Sequence, residues 1–174
     1  MIKSNPVLCF RLLRYLNSAA FGFHNQVTSI PHALTLLGET EMRKWLMIMS
    51  TIAAGYDRPQ LVELALVRGC FGEQVAPLFS VCPSQMFLLG LMSLMDSILE
   101  LPLSVISQEL ALSSELRAAL TGDYGSLREC LDLVLAYERG DWDFCRHQLS
   151  RLHAATNLPD LYLKALRWTR FLIG

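Results

Sequence analysis

The segment Gln85-Met86-Phe87-Leu88-Leu89-Gly90-Leu91-Met92-Ser93-Leu94-Met95-Asp96-Ser97-Ile98-Leu99 decides the fold. It is apolar nearly all round. A helix with no polar face has no side to offer water, so this segment predicts a buried helix at the centre of an all-α domain. It does not predict a membrane span. Asp96, Glu100 and Pro102 interrupt the greasy stretch Met86–Ile106, well short of the ~20 clean apolar residues a bilayer needs.

On both sides of this segment the pattern stays helical, and no run shows sustained strand alternation. Pro83-Ser84 marks the break before it. Pro59 opens the preceding helix, which carries Leu61, Leu64, Ala65, Arg68, Phe71 and Val75. Upstream, Glu39–Ala54 predicts a helix with Met42, Trp45, Leu46 and Met49 inward. A shorter helix before it is capped by Ser29 and stopped by Gly38. Asn5-Pro6 opens the first helix, with Pro6 at a position where its missing N–H costs nothing. Leu8, Leu12, Leu13 and Leu16 share one face of that helix. Downstream, Pro102 opens a short helix to Leu110, and Ser113 caps another that ends at Gly122. Ser126–Arg139 closes at Gly140. Asp141 caps a helix through Trp142, Cys145, Leu149 and Leu152, and Pro159 opens the last, bearing Leu161, Leu166, Trp168 and Phe171. The organisation expected is a multi-helix bundle: a helical core over residues 1–123 and a C-terminal helical extension over 124–174, packed as one unit.

With 174 residues the chain suits one compact domain. Hydrophobic residues make up 52% and charged ones 18%, with a net charge of -1. So greasy a chain either buries its helices deeply or keeps apolar surface for a partner. The balanced charge argues against broad nucleic-acid binding, which needs a basic excess. Five cysteines (Cys9, Cys70, Cys82, Cys130 and Cys145) include no CxxC pair. They read as free thiols in a reducing cytoplasm, not as a zinc or disulfide framework. Met1–Pro6 is polar and carries no secretory signal, so the expectation is a cytoplasmic protein with no membrane and no nucleic-acid partner.

The series Asn5-Pro6-Val7-Leu8, Arg11-Leu12-Leu13-Arg14, Asn17-Ser18-Ala19, Ser29-Ile30-Pro31-His32-Ala33-Leu34 and Leu36-Leu37-Gly38 resembles the HD-related output domain (HDOD) family. The likeness continues at Leu66-Val67-Arg68, at Phe87 to Asp96 and at Ala136-Tyr137-Glu138-Arg139-Gly140-Asp141-Trp142. These later segments resemble the version at the C-terminus of two-domain bacterial proteins that begin with an EAL domain, the cyclic-di-GMP phosphodiesterase type. The resemblance implies an all-α signalling domain, with an EAL-like domain ahead of it in the same protein.

Catalytic HD relatives hold metal with a His, a His-Asp pair and a distal Asp, and the metal activates a water. The four histidines here, His24, His32, His147 and His153, are followed by Asn25, Ala33, Gln148 and Ala154, so no His-Asp dipeptide exists. In the resemblance the dyad falls at Ser93-Leu94 and the upstream His near Gly69. Leucine and glycine offer no side-chain ligand. His147 and His153, on one predicted helix, are six residues apart, off the spacing that lets two side chains face one ion. Cys145 lies on a different helical face from His147. There is no Gly-rich phosphate loop and no Gly-x-Ser-x-Gly elbow. The expectation is no enzyme, no catalytic residue, no metal and no cofactor.

The residues that could matter without chemistry are Arg11, Arg14 and Asn17 on the first helix, and Lys164, Arg167 and Arg170 on the last. Asn17 also reads as a helix C-cap, and the two arginines as cations that suit a helix C-terminus. Lys164, Arg167 and Arg170 form a basic stripe beside Trp168 that either binds a phosphate or nucleic acid or is a solvated face, whereas Arg11 and Arg14 could contact an anionic partner surface. Trp45, Trp142 and Trp168 read as core anchors. Methionines cluster in two helices as core filler, and any left exposed would mark an adaptable docking surface. The leading reading is a regulatory interaction module that docks on an EAL-like domain, on a second copy or on another signalling protein. The alternatives are a small-ligand sensor and a degenerate HD phosphohydrolase.

Overall fold

The computed structural model describes residues 30–109 and 112–173. Within them the elements run α1 (Ile30–Ala54), α2 (Pro59–Val75), a 3-10 turn (Ala76–Phe79), α3 (Pro83–Met92), α4 (Met95–Leu99), α5 (Leu103–Glu109), α6 (Ser114–Thr121), α7 (Ser126–Arg139), α8 (Trp142–Arg151) and α9 (Leu158–Ile173). No strand occurs among the described residues, so the all-α class stands. The first predicted helix, from Asn5, lies outside the described residues. No helix is long and apolar enough to cross a membrane among the described residues.

Local chemistry sets the boundaries. Gly38 sits at φ 66, ψ 176 inside α1 and divides it into the two helices the sequence predicts, because that geometry is open to glycine and strained for other residues. Ser113 Oγ accepts from the Leu116 N–H, and Asp141 Oδ1 accepts from the Phe144 N–H. These capping bonds satisfy amide groups that the first turn leaves without partners.

The segment that decides the fold is broken where the sequence predicts continuity. α3 ends at Met92, and α4 begins at Met95. Ser93 Oγ donates to the Gly90 carbonyl at 2.7 Å, and Leu94 leaves the helical region at φ -121, ψ 4. Centrality is shared with α2, whose residues Ala65 to Gly72 are buried without interruption. α3 packs on one side of α2 and α9 on another, with α7 also against it. Hydropathy alone underrates α2 because its burial depends on small residues. A Cβ added at Gly90 would stand 2.6 Å from the Gly69 Cα and 2.8 Å from the Arg68 carbonyl oxygen. Backbone meets backbone at this crossing, and only glycine permits it.

The core is one contiguous cluster from Trp45 and Ile48 to Ala165 and Leu172. Phe71, Tyr137 and Tyr162 form an aromatic triangle with centroids 5.0 to 5.3 Å apart, which joins α2, α7 and α9. Gln74 of α2 donates to the Leu161 carbonyl of α9 at 3.3 Å.

Two expectations about buried residues are corrected. Leu46, read as inward, is 45% exposed on the outer flank of its helix. Trp142 is 51% exposed. Its indole lies against the Gly140 turn and edge-on to Tyr137, so it braces the start of α8 from outside. Trp45 is fully buried, and Trp168 is half-buried against Phe87.

Candidate functional site

At the crossing of α2 and α3 the sequence positions near Gly69 and at Ser93 come together, and the side chain between them is Arg68. Its Nη1 donates to Ser93 Oγ at 2.8 Å. Its Nε and Nη2 donate to the Glu138 carboxylate at 3.1 and 2.7 Å. The side chains of Arg68 and Glu138 are only 9% and 10% exposed. A buried charge persists only when paired and hydrogen-bonded, and each is. The planar guanidinium suits this task because its fork can engage a carboxylate and still present a further N–H to the serine. Three helices are thereby tied at one point: α2 by Arg68, α3 through Ser93 and α7 by Glu138. Tyr162 of α9 borders the pair. Burial pushes its phenol above the ordinary value, Glu138 and Tyr137 add to the rise, and Arg68 opposes it.

The polar groups at this crossing are engaged with one another and are not arranged as ligands for a divalent metal. The guanidinium places a fixed positive charge on Ser93, and a cation held beside it would be repelled strongly at so buried a point. Both oxygens of Glu138 already accept from Arg68. Among the described residues, no three His, Cys, Asp or Glu side chains converge as ligands. His147 is exposed on α8, whereas His153 lies beyond the end of that helix with φ 50. The two histidines are not on one helix as the periodicity predicts, because α8 stops at Arg151. Cys145 is buried and His147 exposed, so they do form on different faces.

A second charged contact lies near the first. Lys44 of α1 reaches both oxygens of Glu73 on α2 at 2.6 Å, with its ammonium 4.4 Å from the Phe87 ring centroid. The cation is attracted to the ring face as well as to the carboxylate, so it links α1, α2 and α3.

Of the interaction residues taken from sequence, Arg11, Arg14 and Asn17 lie outside the described residues. Lys164, Arg167 and Arg170 are all exposed on the outer face of α9. Trp168 does not accompany them, since its ring turns inward onto Phe87. Sequence reasoning missed the Arg68–Glu138 pair, although both residues stand in segments it quoted. The available signal was an arginine inside the apolar run Leu64–Cys70, a place where arginine is almost never buried unpaired.

The family model for the HDOD domain matches residues 1–116. The uncharacterized protein YuxH of Bacillus subtilis (strain 168) is 30% identical over 175 residues, a match covering 96% of this chain and 42% of that protein. The cyclic di-GMP phosphodiesterase CdgJ of Vibrio cholerae is 25% identical over 176 residues, covering 98% of this chain and 40% of that protein. The chain thus spans about two fifths of the length of these curated relatives. No solved structure gives a significant match.

Proposed function

The chain belongs to the HDOD domain family, and from that premise we propose that it is a non-catalytic regulatory module that transmits state by protein contact within a bacterial signalling protein. A signalling role is supported by the family and by the similarity to a cyclic di-GMP phosphodiesterase. The finer reading is that the parent polypeptide also carries an EAL-like domain and that this module acts on it in a reducing cytoplasm.

The Arg68–Glu138–Ser93 network carries the proposal. Where an HD hydrolase needs ligands around a cation, this chain supplies its own cation and uses up the neighbouring acceptors. The neighbouring polar groups are engaged in holding three helices together. The network therefore supports rigidity at the crossing and leaves the domain to act through its surface. Metal analysis of the purified chain, together with phosphodiester and nucleotide turnover in manganese or magnesium, tests this. The expected result is no stoichiometric metal and no turnover. Metal held at the α2–α3 crossing, with turnover lost in the Glu138→Gln variant, refutes it.

A further inference from the structure

Lys164, Arg167 and Arg170 follow one another at i, i+3 and i+6 on α9, so they form one inclined row about 9 Å long. Among the described residues all three are exposed and none of them forms an ion pair. Other cations of the fold are taken up: Lys44, Arg58, Arg68, Arg128, Arg146 and Arg151 each meet a carboxylate. The one acid on α9, Asp160, stands in its first turn and accepts from Asn157. The remaining residues cannot supply the missing counter-charge, because positions 1–29, 110–111 and 174 contain no acidic side chain. The row is therefore positive charge that the chain's own acids leave uncompensated.

Three kinds of partner carry negative charge, and the rest of α9 separates them. A single-stranded nucleic acid asks for an aromatic platform beside the cations, but the Trp168 ring is turned edge-on to Phe87 in the interior. With a net charge of -1 the chain also lacks the basic excess that a phosphate backbone rewards. An anionic membrane takes up an interfacial helix through its apolar face, and α9 has already given that face to the core, with Leu158, Ala165 and Leu172 buried. A carboxylate-bearing protein segment needs neither feature. Each guanidinium fork can hold a carboxylate by two parallel bonds. Leu163 is 48% exposed and lies at i-4 from Arg167 and i-7 from Arg170, so it adds an apolar contact to the same strip.

We propose that the outer strip of α9 is a binding site for an acidic protein segment, whose carboxylates, spaced one helical turn apart, pair with Lys164, Arg167 and Arg170. The proposal rests on the interaction-module reading and names the chemistry of its partner. Complementary charge of this kind sets the register and speeds the encounter, while Leu163 excludes water at the centre of the strip.

Fluorescence anisotropy tests the proposal at about 0.15 M salt, where only close charge pairs escape screening. The probe is a labelled helical peptide with Glu at i, i+3 and i+7 around one leucine; its Gln counterpart is the control. The expected result is saturable binding, roughly tenfold tighter for the Glu peptide, the size expected of several exposed ion pairs acting together. Arg167→Glu with Arg170→Glu should weaken it roughly tenfold. Arg139→Glu with Arg146→Glu makes the same charge change at exposed positions on α7 and α8 and should cost less than about twofold. All four side chains are exposed, so the melting temperature should hold in both double variants. No saturable binding, equal binding of the Gln peptide, or equal loss in the two double variants overturns the proposal. So does tighter binding of a single-stranded oligonucleotide or of phosphatidylserine vesicles than of the Glu peptide. These outcomes leave the interaction-module reading standing. Metal-dependent turnover at the α2–α3 crossing would overturn that reading without changing the peptide titration.

Discussion

Replacing Glu138 with alanine strands the Arg68 guanidinium in the core with Ser93 as its remaining partner. The cost follows from burial. Two opposite charges about 4 Å apart attract by roughly 4 kcal/mol at an effective dielectric of 20. Removing one member of a buried pair costs about 3–5 kcal/mol, since the other charge stays uncompensated. For a chain of this length each kcal/mol moves the midpoint by roughly 2–4 °C. Glu138→Ala should therefore lower the melting temperature by roughly 6–20 °C. The double variant Arg68→Met, Glu138→Leu removes both charges and keeps apolar volume, so it should be more stable than either single variant. Urea unfolding followed by circular dichroism of the wild type, Arg68→Met, Glu138→Leu and the double variant gives the four free energies, and the cycle yields the coupling. A Glu138→Ala cost below about 1 kcal/mol would refute the reasoning. Equal refutation comes from a double variant that costs the sum of the two singles, because the pair would then not interact.

Gly90→Ala would drive a methyl into the Gly69 backbone at 2.6 Å; overpacking typically costs about 1–3 kcal/mol, and backbone contact on both sides places this site at or above the upper end, as a urea midpoint will show. Ser113→Ala removes the cap of α6 and should cost about 1 kcal/mol, measured the same way. Thiol titration should separate the cysteines. Among the described cysteines, Cys82 is exposed, and the Ser84 hydroxyl holds its pKa below the ordinary thiol value, so it should react before the others; Cys70 and Cys130 are pushed to about 12, chiefly by burial, and should react only on unfolding. Because those two remain protonated in the fold at pH values where the unfolded chain ionises, their contribution to stability is complete below about pH 9 and is lost as pH rises toward 12; an alkaline denaturation series that showed stability rising across that window would contradict this. Charge reversal at Lys164, Arg167 and Arg170 should move the melting temperature little, as these side chains are exposed.

The order and type of the elements were legible in the sequence because they depend on local chemistry. Gly38 stops a helix by its own backbone freedom, Ser113 and Asp141 cap by reaching their own chain, and the greasy run from Gln85 marks burial by composition. The missing His-Asp pair was equally plain. The identity of what takes its place was not. Arg68 and Glu138 are 70 residues apart, and nothing local tells an arginine which distant acid will neutralise it. The break at Ser93, the glycine-on-glycine crossing and the exposure of Leu46 likewise depend on which helix lies alongside. Periodicity reports that a face is apolar, but only the packed chain decides whether another part of the same domain covers it, and among the described residues Leu46 remains 45% exposed.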